Sequence, residues 1–116
     1  MKYFDESFIR FFKGLIKNNN KAWFDNNKHV YEESVKKPFE VLVADIIKEM
    51  KGIHPGFQCE PKEAIFRLNR DIRFSADKTP YKSNTSALIT HGGKKNMSDP
   101  GLYIELSANN LSIYGG

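Results

Sequence analysis

The apolar residues of this chain change their spacing near Gly52, and that change limits the fold more than any other feature of the sequence. Before Gly52 they recur every three or four positions, which is the spacing of an amphipathic helix. After it they form short β-branched and aromatic runs, which are typical of strands. Helices that precede strands without alternating with them favour an α+β fold with a largely antiparallel sheet.

Three helices are predicted before Gly52. In the first, Ser7 is the expected N-cap, and apolar residues follow at helical spacing through positions 8–16. The asparagines at 18–20 end this helix and supply a cap for a second one, whose looser apolar stripe ends near Lys37. Pro38 is a favourable first residue for a third helix, and a glycine follows that helix as a stop.

Four strands are predicted after residue 62. A hairpin turn at Asn109-Asn110 joins the last two, because asparagine tolerates the left-handed conformation that tight turns need. The stretch from His91 to Gly101 is rich in glycine and polar residues, so it is predicted to be a loop. The four strand-like runs are AIFRL (64–68), TSALIT (85–90), LYIEL (102–106) and LSIYG (111–115).

The length of the chain, 116 residues, suits one domain with a real hydrophobic core. We expect a single domain over residues 1–116, with a helical half at 1–52 and a strand-rich half at 62–116. The last strand runs into two glycines without a closing element, so the chain is expected to be a fragment of a longer domain or to expose an edge strand. Such an edge can also pair with a second copy, which predicts a homodimer through the terminal strand.

Composition excludes several classes of protein. The formal net charge of +4 is ordinary for a soluble protein and lies below the clustered excess of dedicated nucleic-acid binders. The lone Cys59 gives no disulfide framework, and the three histidines are scattered, so neither a metal site nor a cofactor is predicted. Residues 1–8 lack the apolar core of a signal peptide, and no run reaches the ~18 apolar residues of a membrane span. The expectation is a cytoplasmic protein without a membrane partner.

The segment 67–82, RLNRDIRFSADKTPYK, holds three of the four arginines in the chain, whereas fourteen lysines carry the other positive charges. Arginine is the residue that planar, bidentate recognition of phosphate or carboxylate requires. One interpretation is therefore a basic pocket for a small anion, in which Asp71 or Asp77 orients a guanidinium or acts as a base. Ile72 and Phe74 are expected to anchor the loop inward. The candidate ligand-binding residues are Arg67, Arg70, Asp71, Arg73, Ser75, Asp77, Lys78, Tyr81 and Lys82.

Two other interpretations stay open. In the first, Asp71 pairs with a neighbouring arginine and Asp77 with Lys78 or Arg67, only to hold the segment in place. In the second, the more cationic part of the chain, residues 61–116, binds nucleic acid or an acidic protein surface; it carries eight lysines and arginines against five acids. No catalytic residue can be named from the pattern, so whether the chain is an enzyme also stays open.

Three segments resemble the conserved family catalogued as domain of unknown function 2461. They are the aromatic run at 8–20, KAWFDNNKHVYEESVKKP at 21–38 and IFRLNRDIRFSADKTPYKSN at 65–84. The third is similar to the family's RDxRFSxDKTPYK hallmark. The resemblance implies no established activity, substrate or cofactor. Because family members are typically much longer, it also implies that this chain corresponds to their N-terminal half.

Overall fold

The computed structural model describes residues 3–91 and 101–109 in full and the backbone of residues 111–115. In this part of the chain the helices precede an antiparallel sheet, so the predicted α+β fold is confirmed. The elements are α1 (Glu6–Lys17), α2 (Lys21–Tyr31), a π-helical turn (Glu32–Lys36), α3 (Lys37–Ile53), the short α4 (Pro61–Ala64), β1 (Asn84–Thr90), β2 (Gly101–Ser107) and β3 (Leu111–Gly115).

Side-chain caps set the starts of the first two helices. The carboxylate of Asp5 accepts a hydrogen bond from the backbone N–H of Ser7 at 2.9 Å, so Asp5 is the N-cap of α1 and the predicted cap at Ser7 is wrong. The cap of α2 is Asn20, as predicted, whose Oδ1 accepts from the N–H of Trp23 at 2.8 Å. A Cβ atom at Gly14 would lie 2.6 Å from the Trp23 ring, so glycine there allows α2 to approach α1.

The second and third predicted helices form one continuous helical segment. The residues at their junction all have right-handed helical dihedral angles, and the turn between them is π-helical. The N–H of Lys37 donates to the carbonyl of Glu32, five residues earlier. Pro38 has no N–H and its ring crowds the preceding turn, and the wider π-helical turn just before it accommodates both effects. The three predicted helices and the place of Pro38 in the first turn of α3 are confirmed, and the π-helical turn joins α2 to α3 without an interruption.

The sheet has the strand order β1-β2-β3, with both pairs antiparallel. Ala87 of β1 faces Ile104 of β2, which in turn faces Ile113 of β3. The strand predicted at 64–68 is wrong, because Pro61 starts α4 and only one isolated bridge, Ile65 to Ala87, joins this stretch to the sheet. The loop predicted after His91 and the hairpin turn at Asn109-Asn110 lie partly outside the described residues.

One hydrophobic core lies between the helices and one face of the sheet. Alternate residues of β1 and β2 point into it, as the period of two in a strand requires. The largest apolar side chains with almost no exposed surface come from α1, from the helical segment that contains α3, and from both strands: Phe12, Leu15, Val35, Phe39, Val43, Ile89 and Ile104.

Candidate functional site

The Arg-rich segment, residues 67–82, immediately precedes β1 in the chain and folds back on itself. The N–H of Lys82 donates to the carbonyl of Leu68, and the N–H of Arg70 donates to the carbonyl of Pro80, each at 2.9 Å. Asn69 and Tyr81 form an isolated antiparallel bridge between these two hydrogen bonds. The ends of the segment are thus paired, and residues 71–79 form the loop between them.

Asn19 attaches this segment to the corner between α1 and α2. Its side-chain amide donates to the carbonyl of Tyr81 at 2.8 Å and accepts from the N–H of the same residue at 3.1 Å. The Tyr81 ring is buried and stacks on Phe24, with ring centroids 4.5 Å apart. Asn19 was absent from the predicted site, because the sequence gives it no signal beyond its place among three asparagines that end a helix.

Arg70 is bound by its own loop. Its Nη1 donates to the Thr79 carbonyl at 2.8 Å and to Thr79 Oγ1 at 2.6 Å, and it lies 3.4 Å from Asp77 Oδ2. Asp77 Oδ1 accepts from the N–H and the hydroxyl of Thr79, and these hydrogen bonds lower the pKa of the Asp77 carboxyl. The side chain of Arg70 is 27% exposed. The ion pair predicted between Asp77 and Lys78 or Arg67 is wrong, because Asp77 pairs with Arg70.

Arg73 forms a second internal pair, with Asp71. Its Nε and Nη2 atoms donate to the two carboxylate oxygens at 3.1 and 3.0 Å, which is a bidentate fork. The hydrogen bonds from Arg73 lower the pKa of Asp71. Both side chains are exposed, so this is a surface pair of the kind the structural interpretation predicted. Lys78 is similarly occupied, since its Nζ donates to the carbonyl of Ile72 at 2.6 Å.

The tip of the loop differs from its prediction. Phe74, expected to point inward, is 94% exposed, whereas Ile72 is half-buried. The guanidinium carbon of Arg73 lies 5.6 Å from the centroid of the Phe74 ring, a cation–π distance. The N–H of Ser75 donates to the Ile72 carbonyl at 3.3 Å, which closes the turn. The loop is thus held by hydrogen bonds among its own polar groups, and its aromatic residue faces solvent.

Lys82 and Arg67 form a different kind of group. Lys82 is half-buried with its Nζ 5.5 Å from the centroid of the Phe66 ring. Burial lowers the pKa of Lys82, the neighbouring Arg67 lowers it further, and Glu105 on β2 raises it. Within residues 3–91 and 101–109, no carboxylate lies within ion-pair distance of either cation. Lys82 and Arg67 therefore act on each other as like charges, and the nearest acids, Glu105 for Lys82 and Asp71 for Arg67, act on them from beyond ion-pair distance.

A cleft of about 490 Å³ opens beside Lys82. It brings together four of the predicted site residues, namely Arg70, Asp77, Tyr81 and Lys82. The predicted residues Arg67, Asp71, Arg73, Ser75 and Lys78 lie outside its lining. The other lining residues are Thr79, whose hydroxyl the sequence analysis counts among the polar groups of the segment, and Ile16, Asn19, Ser83 and Asn84, which the sequence did not indicate.

The part of the chain that the structure describes contains no cluster of three histidines, cysteines or acids that could hold a metal ion. Cys59 is buried, and its burial raises the pKa of the thiol. None of the described helices combines the length and the apolar character that crossing a membrane requires.

The family model described as "Conserved hypothetical protein (DUF2461)" matches residues 7–116. The chain belongs to this family. The match includes the whole Arg-rich segment, so the predicted DUF2461 membership is confirmed. No curated protein and no solved structure gives a significant match to the chain.

Proposed function

We propose that this DUF2461 chain binds a small anion, a phosphate or a carboxylate, at Lys82 and Arg67 and in the adjoining cleft. The observation that carries the proposal is the half-buried Lys82 in the lining of the cleft, which has no carboxylate within ion-pair distance among the described residues, whereas Asp77 and Asp71 pair with Arg70 and Arg73. An anion between Lys82 and Arg67 removes their mutual repulsion and compensates the desolvation of the ammonium.

The surroundings of Lys82 support the same chemistry. Thr79, Ser83 and Asn84 bring hydroxyl and amide groups to the cleft, and such groups donate to phosphate or carboxylate oxygens. The guanidinium of Arg70 lines the cleft as well, and only its Nη1 is engaged by the loop. The proposed ligand contacts are therefore Lys82 and Arg67 first, with Arg70 as a third cation held at a fixed position by Thr79.

For the rest of the segment, the contacts support the interpretation in which charged groups only hold the loop in place. Arg73 is engaged by Asp71 through both donors of its fork, and Lys78 by a backbone carbonyl. These side chains hold the loop, and we do not propose them as ligand contacts. A reaction is not proposed either: the Thr79 hydroxyl donates to Asp77 and accepts from Arg70, and we assign these hydrogen bonds to holding the loop. We propose a cytoplasmic location, which the single buried cysteine supports.

A titration of inorganic phosphate and acetate, monitored by calorimetry and by thermal unfolding, tests the proposal. We expect phosphate to raise the unfolding temperature of the wild type in a dose-dependent way, as mass action requires of a ligand that binds only the folded state. Lys82→Met keeps the apolar stem but removes the charge, so it should lose this stabilisation. Lys62→Met, on the exposed surface of α4, is the matched control and should keep it. Equal responses of the two variants, or no response of the wild type, would contradict the proposal.

A further inference from the structure

Phe74 is the aromatic side chain of the loop tip, and its ring faces solvent. At 94% it is the most exposed of the large hydrophobic residues in the described part of the chain. An aromatic ring on a surface gains most when a partner removes it from water. The loop that presents it is not slack, because hydrogen bonds from Arg70, Arg73 and Lys78 hold both of its sides. A ring on such a preorganised loop loses little conformational freedom when a partner stacks on it.

The charge around Phe74 indicates which partner fits. Its ring already has the guanidinium of Arg73 at a cation–π distance. The whole segment 67–82 carries five lysines and arginines against two aspartates, so the field near the ring attracts anions. A stacking ring within a cationic segment is the combination that binds a base together with its phosphate.

Phe74 and one wall of the cleft belong to the same loop. Asp77 lines the cleft, and Phe74 precedes it by three residues. Consecutive Cα atoms are about 3.8 Å apart, so the Cα atoms of Phe74 and Asp77 are separated by at most about 11 Å. The ring therefore lies near the Asp77 wall of the cleft, and a ligand that extends from the cleft along this wall can contact it.

We propose that the anion bound by this chain is the phosphate of a nucleotide, whose base stacks on Phe74. The inference rests on the proposed function, because it assigns the phosphate to Lys82 and Arg67. It adds a ligand class and a second contact. A free mononucleotide and a single-stranded nucleic acid share this chemistry, and probes of different length distinguish them.

The experiment compares four probes by calorimetry at one fixed salt concentration: inorganic phosphate, ribose 5-phosphate, AMP and a single-stranded octadeoxynucleotide. Because stacking of one base on an aromatic side chain is substantial, we expect AMP or the oligonucleotide to bind the wild type about five- to 150-fold more tightly than ribose 5-phosphate. Preference for AMP identifies a free nucleotide as the ligand. Preference for the oligonucleotide, with an affinity that falls steeply as salt rises, identifies a single strand.

Phe74→Ala should remove this advantage of the base while leaving the affinity for ribose 5-phosphate unchanged. Phe74→Trp, which keeps a stacking surface, should retain the advantage. Ile53→Ala is the matched control, because Ile53 is also a strongly exposed apolar side chain but lies at the end of α3. It should change neither affinity. Circular dichroism is expected to be the same for all variants, since both side chains lie outside the core.

Two results overturn the inference and differ in what they mean for the proposed function. If the wild type binds ribose 5-phosphate, AMP and the oligonucleotide equally, or if Phe74→Ala keeps the preference for a base, the base does not stack on Phe74, and the anion site itself is unaffected. If none of the four probes binds, the anion site and the inference both fail.

Discussion

Arg70 and Lys82 line the same cleft, but they differ in whether other groups of the protein neutralise their charges. Arg70 donates to Thr79 and lies beside Asp77, so its charge is used within the loop. Lys82 lies over an apolar ring, next to Arg67, without an ion-pair partner among the described residues. The first arrangement stabilises the folded state, whereas the second costs stability that a ligand can restore. Lys82 is thus the cation more available to an anion, whereas Arg70 holds the loop and adds a charge at a fixed position in the cleft.

The largest effect should follow from removing the hydrogen bonds that attach the Arg-rich segment to the corner between α1 and α2. Asn19→Ala removes both hydrogen bonds to the backbone of Tyr81 and leaves a half-buried N–H and C=O without these partners. We expect a loss of about 3 kcal/mol in the free energy of unfolding, measured with urea, because each such group costs about 1–3 kcal/mol. Asn26→Ala, on the exposed face of α2, is the control and should stay near zero. A loss of unfolding free energy no larger than that of the control would show that the Asn19 amide does not hold the segment.

Arg70 and Arg73 offer the next test, since the two arginines differ in burial. Arg70→Met removes charged hydrogen bonds to the carbonyl and hydroxyl of Thr79, so we expect it to lower the free energy of unfolding by about 2 kcal/mol. Arg73→Met breaks only an exposed fork and should leave the urea midpoint unchanged. If the two variants are equally destabilised, the hydrogen bonds of Arg70 contribute no more to stability than the exposed pair of Arg73 and Asp71.

The smallest effect should come from Lys82, and it should depend on pH. Its pKa is lowered in the folded state from an ordinary value of 10.5, so between the two pKa values the unfolded chain binds more protons. Stability therefore rises with pH across this window as the folded state loses the unfavourable charge. Lys82→Met should lack that rise, which is measured as the difference between the two unfolding curves at several pH values.

The same measurement in the presence of phosphate tests whether the anion binds next to Lys82. A bound anion favours the charged ammonium, so phosphate should reduce the pH-dependent difference between wild type and Lys82→Met in the window between the two pKa values. A difference that phosphate leaves unchanged would mean that the anion does not lie next to Lys82. Lys62→Met again serves as the control, because its side chain is exposed to water.

The fold was largely predictable because periodicity is local information. The spacing of Phe8, Phe12 and Leu15 predicts α1, and the β-branched runs predict β1 and β2. The continuous helix through Pro38 was not predictable, because the π-helical turn that accommodates it has no pattern of its own. The strand expected at 64–68 failed for a similar reason: pairing with β1 is decided by tertiary geometry rather than by β-propensity.

The site was predictable only as a segment. The concentration of arginines identifies residues 67–82, and their alternation with Asp71 and Asp77 permits both ligand binding and internal pairing. Which cation is paired depends on how the loop folds, and that information is absent from the order of the residues. Asn19 shows the same limit, because it meets Tyr81 only after the helices and the segment have packed together.

The bond between Asn19 and Tyr81 also determines when in folding the cleft can exist. The two residues are 62 positions apart, so this contact requires the closure of a long loop. Contacts of such separation are slow to form, whereas α1 and α2 depend on near neighbours. We therefore expect the helical hairpin to form early and the cleft to appear among the last structures, so that anion binding in a refolding experiment would mark the completion of the fold.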